Sequence, residues 1–563
     1  MSPPESFNFA DVWEAISDRV RDRPAVVVGD RRLTYGELED RANRLANVLR
    51  DLGVGPGDTV ACHLTNSSEY LETLLAAWKL RAVPVNVNYR YTSEELAHLY
   101  RDSGAVVAVV DADLLERVDA VADQLDSLRT VLVVGGGPAT PGPTGLHDVR
   151  SFDEATGRVS ADRPVVAGRG DDDLYVIYTG GTTGLPKGVV WRMGDAFFGC
   201  LGGGDPMRMS GPVAEPEELM ERIVDFDFTF YALAPLMHAA AQWVSFMWLF
   251  CGARVVLHEG PFDAGQVWRT IEREGVSTTT VVGDAMARPL CDDWDTNGPY
   301  EVSTLFAFSN GGAPLSAGLR ERLQAALPGV VFTDGFGSSE TGIQGSSRLQ
   351  PGDRSAGTAR FDAVASGTLV LDDDLRPVEP GSGVVGRVAH SGYLPLRYHN
   401  APERTAETFV EVGGQRVALN GDMAMVEADG SVVLLGRGSL CINTGGEKVF
   451  PEEVEGVLKS HPAVYDVVVV GVPHDRWGEQ VTAVVQPVGG SQVTLEDLVA
   501  HGREHLARYK LPRAVVVVDA VVRSPSGKAD YRWARATAVE AAAEVTTSEA
   551  TSEGTTSEAP PTT

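Results

Sequence analysis

The chain has 563 residues, 43% hydrophobic and 22% charged, which is too long for one ordinary core and typical of a globular enzyme. Its 48 basic and 78 acidic residues leave a formal charge of −30, a surface that repels nucleic acid and anionic lipid. The same surface repels ATP and carboxylates, so a site for anions must carry its own local cations beside glycine loops. Five cysteines, Cys62, Cys200, Cys251, Cys291 and Cys441, stand without paired spacing, which argues against a disulfide framework or a zinc site and fits a reducing cytoplasm. The start, MSPPESFNF, lacks the pattern of a secretory signal, and no apolar run is long enough to span a bilayer.

In chain order, a strand-like Ala25 to Val28 leads into an amphipathic helix over Arg32 to Arg50, with Leu38, Ala42, Leu45 and Val48 on one face. Val60 to Leu64 reads as a buried strand. Ser67 to Arg81 reads as a helix capped by Ser67 or Ser68. Thr92-Ser93-Glu94-Glu95 is a capping box that opens the next helix. Val106 to Val110 and Thr130 to Val134 are further short apolar runs, and this alternation implies parallel, doubly wound sheet.

The apolar run Leu174 to Tyr178 precedes Thr179-Gly180-Gly181-Thr182-Thr183-Gly184-Leu185-Pro186-Lys187-Gly188. Glycines allow close backbone approach, and amides, hydroxyls and an ammonium suit a polyphosphate. It is not a Walker A loop, because Lys187 is followed by Gly188 and Val189 rather than Ser or Thr. Residues 202–225 read as an insertion over the surface. Phe228 to Leu233 is a strand that leads to His238, and Ala239 to Phe250 an apolar helix with Trp243 and Trp248. Strand–helix alternation continues through Arg254 to Leu257, Thr278 to Val282, Thr304 to Phe308 and Val330 to Phe332. Ser366 to Val426 has the short strands and Gly/Pro turns of a β-rich unit. A compact α/β unit of about 100 residues follows Gly436-Arg437-Gly438-Ser439, a normal domain size. The end, TTSEATSEGTTSEAPPTT, has the composition of a disordered tail.

Further glycine-rich turns follow strands: Ser309 to Leu315 (SNGGAPL) and Asp334 to Gly342 (DGFGSSETG), the second with Glu340. Leu419-Asn420-Gly421-Asp422 closes a strand, and GRGSLCINTGGEKVFPEEVE and RSPSGKADY lie in the last unit. In sequence, order and spacing this set resembles the AMP-forming acyl-adenylating superfamily of acyl-CoA synthetases, luciferases and peptide-synthetase adenylation domains. The resemblance covers about residues 10 to 535 and looks most like bacterial fatty-acyl and steroid side-chain CoA ligases.

The resemblance implies two steps: a carboxylic acid attacks the α-phosphorus of ATP to give acyl-AMP and pyrophosphate, then coenzyme A displaces AMP. The fold it implies is α/β, with a large N-terminal domain of doubly wound sheets (1–436) that includes a β-rich subdomain from about 355 to 436. A hinge at 437–439, a small mobile α+β C-terminal domain at 440–540 and a disordered acidic tail at 541–563 complete it. Lys528 matches the lysine that bridges the carboxylate and α-phosphate. Thr179, Gly180, Gly181, Thr182, Thr183, Gly184 and Lys187 would hold the outer phosphates, with Glu340 and Thr183 at Mg2+. Gly311, Gly312, Ala313, Asp334, Gly335 and Phe336 would form the adenine slot, with Phe336 as a stacking face or as core, and Gly337, Ser338 and Ser339 would extend the cofactor-binding segment. Asp422 and Arg437 would take the ribose. Gly445, Gly446, Glu447 and Lys448 would face the site with coenzyme A, after the last domain swings about Ser439. His238 stands at the mouth of the acyl pocket, with Trp243, Met247, Gly283, Ala285, Met286 and Gly312 as its wall. The small residues Gly283, Ala285 and Gly312 suggest a roomy pocket.

Gly180, Ser339, Ser439 and Leu419 depart from the commoner residues at their positions, but both lysines, Glu340 and Asp422 are present. The expected partners are a small-molecule acid, ATP and coenzyme A, without nucleic acid or a membrane span, in a cytoplasmic enzyme for which a homodimer is entertained. Alternatives are an acyl-AMP ligase that loads a carrier protein in trans, an aryl or small-acid CoA ligase, and an inactive nucleotide-binding regulatory protein.

Overall fold

The computed structural model describes residues 3–136, 145–180, 185–351, 360–361, 367–444, 447–474, 476–523 and 528–553. Its strands form five sheets. An all-parallel five-stranded sheet comes first, with Thr59–His63 between Val83–Asn86 and Val107–Asp111, followed outward by Thr130–Val134 and Val149–Ser151. The largest sheet has eight strands. Its parallel centre runs through Pro24–Val28, Arg254–Leu257, Thr229–Ala232, Thr278–Val281, Ala307–Gly311 and Val331–Ser338, and antiparallel strands close both edges.

Helix starts follow the local chemistry. The Thr34 and Thr92 hydroxyls each cap a helix by accepting the Glu37 and Glu95 amides, the threonine amides donate back to those two carboxylates, and Ser67 accepts from the Tyr70 amide. Each such cap stabilises its helix by about 1 kcal/mol. The large core takes the apolar stripes of helices Phe9–Arg19, Tyr35–Asp51, Ser68–Lys79 and Ala239–Leu249. At its edge Lys79, fully buried, bonds Glu14 at 2.7 Å and Glu39 at 2.9 Å. Arg163 and Arg169 reach the same two carboxylates.

Three readings change. Residues 202–225 do not merely lie over the surface: Val213 and Leu219 are buried in the main core, and the Asp205 carboxylate collects the amides of Met209, Ser210 and Gly211. The glycine-rich 334–342 segment is not a plain loop but the head of an antiparallel hairpin, Val331–Ser338 with Gly342–Leu349. A Cβ on Gly337 would stand 2.1 Å from the Gly342 carbonyl oxygen, which is why the hairpin needs glycine there. Finally, the last helix runs from Tyr531 to Glu553, through residues expected to be disordered from 541. Its alanine-rich AVEAAAEV favours helix, and residues 554–563 lie outside the described set.

A six-stranded antiparallel sheet holds Gln415–Val426 beside Val432–Arg437. The chain then makes a 3-10 turn, Gly438–Leu440, and begins a separate five-stranded sheet at Ile442–Thr444 with its own core. Among the described residues no helix is long and apolar enough to cross a membrane.

Candidate active site

The phosphate-loop strand Leu174–Thr179 returns antiparallel through Lys187–Arg192, so Thr179 and Lys187 face each other as ladder partners. Gly181, Thr182, Thr183 and Gly184 lie outside the described residues. Gly180 is exposed, and an added Cβ there meets nothing within 4 Å. Lys187 is half-buried and held below the ordinary lysine range by burial first and Arg404 second, against the pull of Glu340 and Glu407.

One residue that sequence reasoning missed fixes this loop to the His238 segment. Asn86 donates to the Tyr178 carbonyl (2.8 Å) and the Met237 carbonyl (2.7 Å), and accepts from the Tyr178 amide (2.7 Å). A lone asparagine at a strand end carries no sequence signal. His238 keeps its Nε2 buried and unbonded among the described residues. Burial, with Lys528 and Arg90 nearby, drives its pKa down to about 4, so the ring is neutral at pH 7.

Glu340 sits at the hairpin turn, where the Ser338 hydroxyl accepts its amide at 3.3 Å and the Thr341 hydroxyl accepts the Ser338 amide at 3.0 Å. The Tyr398 hydroxyl donates to Glu340 Oε1 at 2.8 Å. Tyr398 pairs with Val189, on the strand that Lys187 opens, so the phosphate-loop sheet aims the carboxylate. This second missed residue sits on a two-residue strand, Arg397–Tyr398, too short to read from a pattern. The Trp191 indole donates to the Ser339 carbonyl at 3.1 Å and adds another tie between loop and hairpin. Half-buried Glu340, with one oxygen committed to Tyr398, is a hard-oxygen donor that fits Mg2+.

Asp422 lies directly across the ladder from Arg437, with 3.5 Å between Oδ1 and Nε. It is mid-strand rather than at a strand end. Burial raises the Asp422 pKa, and Arg437 and Lys528 oppose that rise. Lys528 remains open to solvent through the cleft, yet protein surrounds it. That surrounding mass first, then Arg437, lowers its pKa against the pull of Glu340, Asp422 and Glu452. One cleft thus brings together Lys528, Glu340, Asp422, Arg437 and His238.

Gly311 pairs with Gly335 across parallel strands, and Gly312 at φ +80° is exposed, leaving open backbone at this sheet end. Beneath it Asp334 is buried, bonded by Arg320 and, at 2.9 Å, by Asn310, so its carboxylate props the loop from below. Phe336 packs against Phe361 with ring centroids 4.6 Å apart and keeps 9% of its surface accessible, which commits one edge of the ring to the core. Gly337 shapes the hairpin.

The expected pocket wall needs correction. Gly283 does not open space: at φ +57°, a Cβ would sit 2.5 Å from the Pro314 carbonyl oxygen and 2.9 Å from the Ala313 Cβ. Met286 packs with Trp268 and Leu290 on one face of the eight-stranded sheet, while Trp243 packs on the other. Neighbouring strand residues point to opposite faces, so these two side chains belong to different core layers. Trp243 donates to the Tyr175 hydroxyl at 3.1 Å, and Met247 is buried beside Gly202. Ala285 is half-buried.

In the C-terminal unit Gly445 and Gly446 lie outside the described residues. Glu447 and Lys448 are exposed on a short strand paired with Ile442–Thr444.

The model of the AMP-binding enzyme family matches residues 13–397, and that of the AMP-binding enzyme C-terminal domain matches residues 453–528. The chain is 43% identical to 3-oxocholest-4-en-26-oate–CoA ligase of Rhodococcus rhodochrous, over 94% of this chain and 96% of that protein. It is 42% identical, over the same shares, to the medium/long-chain-fatty-acid–CoA/3-oxocholest-4-en-26-oate–CoA ligase of Mycobacterium marinum. Among solved structures, the anthranilate CoA ligase AuaEII in complex with anthranoyl-AMP superposes with a TM-score of 0.81 at 24% identity, covering 96% of this chain and 99% of that one.

Proposed function

The chain belongs to the AMP-binding enzyme family and is an acyl-CoA ligase, and from that premise we propose that it activates a fatty or steroid side-chain acid. The observation that carries the chemistry is the placement of Lys528 among Glu340, Asp422 and Arg437. Two anions must meet in this cleft. Like charges about 4 Å apart repel by roughly 4 kcal/mol at an effective dielectric near 20. Lys528 offsets that repulsion where the acid meets the α-phosphate. Lys187 and the threonines beside it take the outgoing pyrophosphate, Asp422 takes the ribose hydroxyls, and the open backbone at Gly311 to Ala313 takes the adenine. Glu340 and Thr183 would hold Mg2+, which when bound would neutralise charge on the phosphates.

The neutral His238 borders the acid without adding a second positive charge. Thioester formation follows with residues 445–448 turned toward the cleft after rotation at Ser439. Support for the acid class comes from the two ligases above, whose names specify a cholestenoate or medium- and long-chain fatty acids. The free cysteines fit a reducing compartment, and the cytoplasm is the location we carry.

The test is a thioester assay with ATP, Mg2+ and coenzyme A over a panel of fatty, aryl and steroid side-chain acids, read by mass spectrometry. Fatty or steroid acyl-CoA together with AMP is the expected product. Turnover confined to aryl acids, or acyl-AMP that accumulates without reaching coenzyme A, overturns the proposal.

A further inference from the structure

We propose that Lys459 is an interdomain positioning residue. A buried ion-pair relay, Asp284–Lys459–Asp466–Arg523, sets the C-terminal unit so that Lys528 enters the cleft, and it must part before the thioester step. The inference rests on the reading of Lys528 as the adenylating lysine.

The relay begins in the N-terminal domain. Asp284, in the first turn of helix Gly283–Asn297, accepts the Ser316 amide on Oδ1 at 2.7 Å. Ser316 closes the loop that starts at Gly311. The second oxygen, Oδ2, is buried without a well-directed hydrogen bond, and Lys459 Nζ stands 3.1 Å from it as a charge contact. Lys459 follows helix Pro451–Leu458 of the C-terminal unit. Its side chain is 7% accessible and that of Asp284 4%.

Lys459 Nζ is also 3.6 Å from Asp466, which receives two bonds from Arg523 at 2.7 Å each. Arg523 lies five residues before Lys528 in the same segment. The contact between domains is therefore wired to the segment that presents the catalytic amine. Tyr465, next to Asp466, strengthens the seam: the guanidinium of Arg288, on the helix that carries Asp284, lies 4.8 Å from its ring centroid.

Two carboxylates and two cations balance along the relay. Burial presses the Lys459 pKa down, but Asp284 and Asp466 more than offset it. Burial likewise opposes Asp466, yet Arg523 and Lys459 hold it below the ordinary range. Separation of the domains leaves each half with an incomplete set of charges, which favours the docked arrangement. Residues 447 and 448 are exposed in that arrangement. An arrangement that turns them to the cleft withdraws Lys528, and with it Arg523 and the Lys459–Asp284 contact.

The test uses the full chain with Lys459→Met, Asp284→Asn, the double variant and Lys459→Arg. ATP–pyrophosphate exchange reads the first half-reaction. Thioester formation from supplied acyl-AMP reads the second, with the panel acid that gives fastest exchange and its chemically prepared adenylate. Each single neutralising variant is expected to slow exchange by about 10- to 100-fold, with the double no slower than the worse single. Lys459→Arg should recover most of the exchange rate, and thioester formation should hold or rise in every variant. Wild-type exchange in Lys459→Met overturns the proposal. So does an equal fall in both half-reactions alongside a lowered melting temperature, which marks a purely structural pair. Lys528→Ala is the control: if it retains exchange, the reading of Lys528 fails, whereas if it loses exchange while Lys459→Met does not, only the relay fails.

Discussion

Replacing Tyr398 by Phe removes one hydroxyl and little else. The ring stays packed beside Phe409, at 6.0 Å between centroids. The lost contact is the 2.8 Å bond to Glu340 Oε1. Burial first, and the charge of Glu340 second, raise the Tyr398 pKa, so the hydroxyl is a donor throughout the working pH range. A hydrogen bond to a charged group contributes about 1.5–3 kcal/mol. Glu340 is half-buried and water can replace the donor, so the low end applies, about 1.5 kcal/mol or roughly tenfold in rate. The freed carboxylate loses its orientation rather than its charge.

The loss should therefore appear as a raised Mg2+ requirement in ATP–pyrophosphate exchange, with the Michaelis constant of the acid unchanged. The rise in melting temperature that Mg2+ and ATP give the wild type should shrink in parallel. An unaltered Mg2+ dependence, or a change confined to the acid, refutes the assignment of Tyr398 to Glu340.

Lys79→Met leaves Glu14 and Glu39 buried, with only Arg163 and Arg169 among the described residues to balance their charge. Stability in urea should fall by about 3 kcal/mol, the low end for a broken buried pair. In the wild type, burial raises the Glu39 pKa, but Lys79 and Arg163 outweigh it and bring it from 4.5 to about 2. Its stabilisation is thus full above the unfolded pKa and lost as pH falls through this interval, which acid titration of the melting temperature reads. Gly283→Ala should lower both melting temperature and exchange rate, because the new Cβ drives into Ala313 and Pro314; a neutral result contradicts so close an approach of the two segments. Ser439 lies in a 3-10 turn, whose φ of roughly −50 to −70° suits proline. Ser439→Pro should keep adenylation and impair thioester formation, and equal losses in both half-reactions count against rotation at that residue.

The strand-and-helix order of the N-terminal sheets was legible because capping residues and apolar stripes act locally. Ser67 and Thr92 each cap the helix they announce, whereas the helix read from Arg32 begins at Tyr35 after the short strand Arg31–Thr34. The 334–342 hairpin was not legible, since its glycines carry no β signal and serve the close approach of two backbones. The phosphate loop, Glu340, Asp422 and Lys528 could be named from motif order, but their supports could not. Asn86 and Tyr398 act through partners 92 and 58 residues away. The expectation that Gly283 opens space failed for a related reason. Gly283 looks small for a ligand's sake, yet the Ala313–Pro314 loop fills the space.

The register of Asp422 opposite Arg437 gives the enzyme a mechanical property. Arg437 ends the last strand of the six-stranded sheet, and the turn begins with the next residue. The arm that carries Lys528 is thus anchored at the residue that touches the nucleotide-side carboxylate. If the C-terminal unit rotates as proposed, torque on the arm would fall first on the Asp422–Arg437 rung. On the proposed reading of Asp422, a nucleotide seated there would stiffen the mount of the lever, and its departure would soften it.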